Sequence, residues 1–201
     1  MKVIAFIRIL ILIQSSFIIL IKSKNVLVIG GTGRVGKQVV SKLLKLGDNV
    51  NVLTRNQIDD VDTKLRGCTI IHGDINNIDD VIAASKDCQS IIAVHGVKPP
   101  RISKFSDLWT NPKSDKDHPY NINYLGTKKV LAAMHINKIN KLVRITGTLT
   151  DKNEFSFFVF LFNSLLSKTI KWHELSEIAI RNSGIDYTGN YTANQFKMDL
   201  F

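Results

Sequence analysis

From Asn25 onward, short apolar runs alternate with longer segments of helical period. Asn25–Ile29 (Asn-Val-Leu-Val-Ile) is continuous enough for a strand buried on both faces. Arg34–Leu46 places Val35, Val39, Val40, Leu43 and Leu44 on one side of a helix, and Gly47 stands where a C-terminal cap belongs. Asn51–Thr54, Thr69–His72 and Ser90–Val94 read as the second to fourth strands, with Ile78–Ala84 a crossover helix between the last two. Val97–Asp117, rich in Pro, Ser, Lys and Asp, reads as a long exposed loop. Pro119 suits the first turn of a helix running to about Ile136. Lys141–Thr146 is the fifth strand, Phe155–Leu166 a buried connector or short helix, and Trp172–Asn182 a helix ended by Ser183-Gly184. Ile185–Thr188 begins a sixth strand. Strict β/α alternation implies a parallel sheet covered by helices. The expected fold is α/β, a doubly wound parallel sheet of Rossmann type in the order 3-2-1-4-5-6.

Residues 1–23 break this pattern. Val3–Ile21 is almost wholly apolar, interrupted by Arg8, Gln14, Ser15 and Ser16. Nineteen residues would just span a bilayer, and Lys2 and Arg8 could serve as the basic start of a signal peptide. No small-residue cleavage site follows, and Lys22 and Lys24 would hold the rest on the cytoplasmic side. Three readings stand: a signal-anchor or other membrane-associated segment, a cleaved signal peptide, and an extension without a targeting role, such as a mis-assigned start. Residues 24–201 form the expected domain.

The 201 residues favour one domain. Hydrophobic content of 44% with 22% charged residues argues against disorder. The formal charge of +10 raises nucleic acid, an anionic membrane or a phosphate-bearing small molecule as partners. The lysines are scattered and no basic helix carries interleaved aromatics, so nucleic acid is not expected and a solvated lysine-rich surface is. Cys68 and Cys88 form no CxxC pair, and the histidines show no metal spacing, so no metal site is expected. No GxSxG elbow or P-loop lysine motif points to a hydrolase or NTPase.

Chemistry concentrates in Gly30-Gly31-Thr32-Gly33-Arg34-Val35-Gly36, between a predicted strand and a predicted helix. Gly30 permits a tight turn, Gly33 lets backbone approach a pyrophosphate, and Gly36 lets helix pack on strand. Thr32, Arg34 and Val35 complete the turn, and the helix N-terminus offers free N–H groups to phosphates. The spacing, GxxGxxG, points to nucleotide binding, with a purely structural turn as the alternative. Arg55 follows the second strand where an NAD-binding protein carries an acid for the ribose hydroxyls; arginine there suits a 2′-phosphate. Arg34 could add a second positive contact. NADP(H) is therefore favoured over NAD(H), with a plain exposed cation the alternative for Arg55. Asp74 after the third strand either accepts from an adenine amine or caps the next helix. His95-Gly96 falls near the expected nicotinamide side as lining backbone, with a base role for His95 as the lesser option.

These residues resemble the atypical short-chain dehydrogenase/reductase superfamily, in particular its NmrA-like NAD(P)-binding group. The resemblance is carried by Gly30–Gly36, Thr54-Arg55, Gly73-Asp74, Asn123–Thr127, Arg144–Gly147, Lys171–Glu177 and Arg181–Thr188, and spans about Asn25 to Thr188. It implies an NADP-dependent oxidoreductase acting on a small molecule, or a non-catalytic dinucleotide-binding redox sensor or scaffold. The main branch of the superfamily uses a Ser/Tyr/Lys set. Thr146 fills the serine place and Lys171 the lysine place, whereas Ser167 stands where the tyrosine would be. The family pattern continues into a small substrate lobe, which in this chain is expected to be truncated or absent.

Overall fold

The computed structural model describes residues 23–55, 63–97, 112–146 and 168–191. Six strands form one parallel sheet in the order β3-β2-β1-β4-β5-β6, as the alternation predicts. They are β1 (Asn25–Ile29), β2 (Asn49–Thr54), β3 (Thr69–His72), β4 (Ser90–Ala93), β5 (Lys141–Thr146) and β6 (Asp186–Tyr191). The described α-helices are α1 (Arg34–Lys45), α2 (Ile78–Ala84), α3 (Gly126–Ile136) and α4 (Thr169–Arg181).

Strand alternation divides the core in two. Val26 and Val28 of β1 face one way with Val50, Val52 and Ile92, and α1 covers them with Val39, Val40 and Leu43. Leu27 and Ile29 face the other way with Leu53, Ile91, Ala93 and Leu142. Val81 of α2, Val130 and Met134 of α3 and Ile180 of α4 close that side. Because β1 is buried on both faces, its sequence is apolar throughout rather than alternating.

Elements differ from the sequence reading where polar residues carry backbone structure. β2 starts at Asn49, whose N–H donates to the Lys24 carbonyl at 2.9 Å, ahead of the apolar signal. β6 runs to Tyr191 because its backbone pairs with β5 up to Thr146↔Tyr191, despite the weak strand formers Gly189 and Asn190. The Pro119–Ile136 segment is not one α-helix: Tyr120–Leu125 is a π-helical turn leading into α3. There the Asn123 carbonyl accepts from the hydroxyls of Thr127 (2.5 Å) and Ser176 (2.8 Å), which compete with the regular helical bond. Gly47 adopts φ +84° and its N–H reaches the Leu44 carbonyl, the expected cap.

The apolar stretch 3–21, the connector 155–166 and most of the 97–117 loop lie outside the described residues. Among the described residues, no helix is long and apolar enough to cross a membrane.

Candidate functional site

The strand order reverses between β1 and β4, and a cleft of about 540 Å³ opens there at the C-terminal ends of the strands. Gly30 turns the chain out of β1 with φ +85°, and a Cβ on it would lie 2.8 Å from the His95 backbone. The turn closes through Gly33 N–H to the Gly30 carbonyl at 3.0 Å. A Cβ on Gly36 would come within 2.1 Å of that same carbonyl, so helix and strand meet only because it is glycine. α1 begins at Gly33 with no side-chain cap and no acid in its first turn. Its leading N–H groups therefore present positive partial charge to the cleft, a cradle suited to a diphosphate.

Gly30, Thr32, Gly33, Arg34, Val35, Gly36, Arg55 and Asp74 all line this one cleft. Arg55 stands at the exit of β2, half exposed, with Nη1 2.7 Å from Oδ1 of Asp117. That bond, more than any other influence, raises its pKa above the ordinary guanidinium value. Asp117 is itself a lining residue, so the cleft carries an acid that sequence reasoning missed. Its stretch is anchored by Asn76 Nδ2 donating to the Lys116 carbonyl (3.1 Å) and Asn121 Nδ2 to the Asp115 carbonyl (2.7 Å). The helix-capping alternative for Asp74 does not hold. Asn77 caps α2, accepting from Asp79 N–H, while Asp74 Oδ1 accepts from Asn76 N–H at 2.9 Å in a local turn.

The residues singled out for catalysis are less gathered. Thr146 ends β5. Lys171 lies exposed in the first turn of α4 and is not among the cleft-lining residues. Ser167 lies outside the described residues. Tyr187 packs against the core.

A second polar feature adjoins the cleft. Arg144, on β5, is 1% exposed. Its Nη1 donates to the carbonyls of Ala93 (3.3 Å) and His95 (3.0 Å), bracing the exit of β4. Burial alone pulls its pKa down to about 10, so it remains charged near neutrality. His95 is buried and its pKa lies well below the ordinary value, from burial first and then Arg144 and His173. Burial and Arg144 push His173 down to about 3. Asn123 Nδ2 lies 3.2 Å from His173 Nε2. Both rings are thus held neutral, and the lowered pKa makes His95 a weak proton acceptor. The signal for Arg144 was present: a charged residue inside the apolar run Leu142-Val143-Arg144-Ile145 of a buried strand.

A family described as NAD(P)H-binding matches residues 30–189. Protein TIC 62, chloroplastic, of Arabidopsis thaliana is 27% identical over 179 residues, covering 81% of this chain and 26% of its own length. The photosystem II assembly factor Ycf39 of Cyanophora paradoxa is 26% identical over 166 residues, 82% of this chain and 43% of that protein. The chain thus spans less than half of either relative. A short-chain dehydrogenase/reductase from Veillonella parvula, solved in complex with NADP, superposes with a TM-score of 0.57 at 13% identity, over 83% of this chain and 67% of that one. At that identity the likeness concerns the fold.

Proposed function

The chain belongs to the NAD(P)H-binding family, and on that premise we propose that it holds NADP(H) and serves as an oxidoreductase towards a small carbonyl or alcohol. The observation carrying the reading is the convergence of Gly30, Thr32–Gly36, Arg55 and Asp74 on one cleft at the strand-order switch. Gly30–Gly36 would hold the pyrophosphate by backbone N–H groups, Arg55 and Arg34 the 2′-phosphate, and Asp74 the adenine amine. When bound, the nicotinamide supplies the hydride chemistry. Thr146 would donate a hydrogen bond to the reacting oxygen and Lys171 would add positive charge. With Ser167 in the tyrosine place, proton donation is weak, a deficit typically worth about 10²–10⁴ in rate. Slow turnover is the expectation.

A second reading, a non-catalytic dinucleotide-binding scaffold, is favoured by a relative named as an assembly factor. NADPH oxidation by the full chain with a panel of aldehydes and quinones separates the two. Turnover above the buffer rate that falls in Thr146→Val supports the enzyme, and tight NADPH binding without turnover supports the scaffold. Residues 3–21 would add a membrane-associated tether to either, checked by partition of the full chain between vesicles and buffer.

A further inference from the structure

Six buried side-chain polar atoms find no hydrogen-bond partner among the described residues, and all six belong to one cluster. They are Nε and Nη2 of Arg144, both ring nitrogens of His95, Nδ1 of His173 and Oδ1 of Asn123. The four residues come from β5, the exit of β4, α4 and the π-helical turn. His95 links the cluster to the cleft, since it lines the cleft and its carbonyl accepts from Arg144. Leaving such groups unpaired costs about 1–3 kcal/mol each, and more for a charged one. Buried groups of this kind take a partner in native proteins, an ordered water or a bound group.

The chemistry of the unpaired atoms specifies a ligand. Nη1 of Arg144 is taken by main-chain carbonyls, and Nε and Nη2 remain. Those two N–H groups lie along one edge of the guanidinium, the edge that grips a carboxylate through two parallel bonds. With Asn123 donating to Nε2 of His173, that neutral ring carries its proton on Nδ1, a further unpaired donor. His95, neutral as well, offers one N–H. Among the described residues no acidic side chain shifts Arg144, and Glu177 of α4 is bonded to Arg181. One positive charge, a bidentate edge and two further donors face no anion from the described protein.

We propose that Arg144, His95 and His173 form a receptor for a small carboxylate beside the cleft, reached past His95 at the exit of β4, with Asn123 orienting the His173 ring. The molecule taken beside the dinucleotide then carries a carboxylate group. This substrate class rests on the dinucleotide reading above, whereas the carboxylate site itself does not require it. Arg144 supplies the charge and the fork, the two imidazoles supply N–H donors, and His95 joins the receptor to the cleft.

The test uses the full chain, ¹⁵N-labelled, with pyruvate, acetate and benzoate as probes and methyl pyruvate as the uncharged control. The Nε–H resonance of Arg144 is assigned by through-bond correlation to its own backbone amide. It should move saturably with at least one carboxylate and not with the ester. Arg144→Lys keeps the charge but loses the fork and should weaken carboxylate binding at least tenfold while NADPH binding stays within about threefold. Should Arg144→Lys not fold, His173→Gln replaces it, with an expected weakening of at least threefold. An equal response to the ester, no response to any carboxylate, or unchanged affinity in the variant that folds overturns the proposal. NADPH binding without carboxylate binding removes this inference alone. Carboxylate binding without NADPH binding removes the dinucleotide reading and leaves the receptor standing.

Discussion

The glycine turn between β1 and α1 and the polar cluster between β4, β5 and α4 flank the same cleft but are built on opposite terms. In the turn, backbone forms the surface: Gly30 and Gly36 leave no room for a side chain, and the leading N–H groups of α1 have no side-chain cap. In the cluster, side chains carry the polar groups: Arg144 and His95 are buried, His173 is half-buried, and all three have ring or guanidinium nitrogens unpaired among the described residues. The turn is shaped by what must be absent, so its tolerance is steric. The cluster is governed by desolvation, so its tolerance is electrostatic. Substitution should therefore damage the turn through geometry, and pH should damage the cluster through charge.

The largest contrast is expected in acid. His173 is held to about 3 and His95 well below its ordinary value, whereas both titrate near 6.5 in the unfolded chain. Below pH 6.5 the unfolded state binds protons that the native state refuses, so stability falls as pH drops toward 3. Each such histidine contributes a slope of up to about 1.4 kcal/mol per pH unit. Urea unfolding between pH 7 and 4 should show this loss, and His173→Gln should flatten it. An unchanged slope would mean that His173 is not a buried neutral ring.

Next in size is Gly36→Ala. Its Cβ would meet the Gly30 carbonyl at 2.1 Å, backbone against backbone with no flexible side chain to yield. Strain of about 1–3 kcal/mol spread into the turn should weaken NADPH up to about a hundredfold. The acid slope set by the cluster should not change, and a changed slope would show that the two regions are coupled.

Arg55→Ala comes third, weakening NADPH by about 1.5–3 kcal/mol, the range for hydrogen bonds to charged groups, and leaving NADH nearly unaffected. Parallel calorimetric titrations decide it, and equal losses for both cofactors would remove the 2′-phosphate role. The smallest effect is expected for Asp117→Asn. Its pair with Arg55 is solvent-exposed and worth at most about 1 kcal/mol. Releasing Arg55 and removing a negative charge from the cleft should tighten NADPH by a few-fold at low salt, with the gain shrinking as salt rises.

The same contrast explains what sequence could and could not reveal. The strand order and the whole turn were legible because period and glycine spacing report backbone requirements directly. β1 and β3 begin and end where their apolar runs do, whereas β2 and β6 extend into polar residues held by main-chain pairing. At the π-helical turn Tyr120–Leu125 the hydroxyls of Thr127 and Ser176, far apart in sequence, meet one carbonyl, which no local pattern encodes. Likewise Asp117 reaches Arg55 only because the fold returns that stretch to the β2 exit. Arg144 was visible as a charge in an apolar strand, but its company of His95, His173 and Asn123 arises from four separated elements.

The proposed binding mode has the glycine turn at the β1–β4 switch hold a dinucleotide through main-chain N–H groups, with its 2′-phosphate at Arg55. Its most direct test is a titration of the ¹⁵N-labelled full chain with NADPH, following backbone amides and arginine side chains. Saturable shifts are expected at Gly33, Arg34, Val35 and Gly36, joined by the Arg55 side chain with NADPH but not with NADH. No saturable shift at these amides, or shifts centred on another part of the protein, would contradict it.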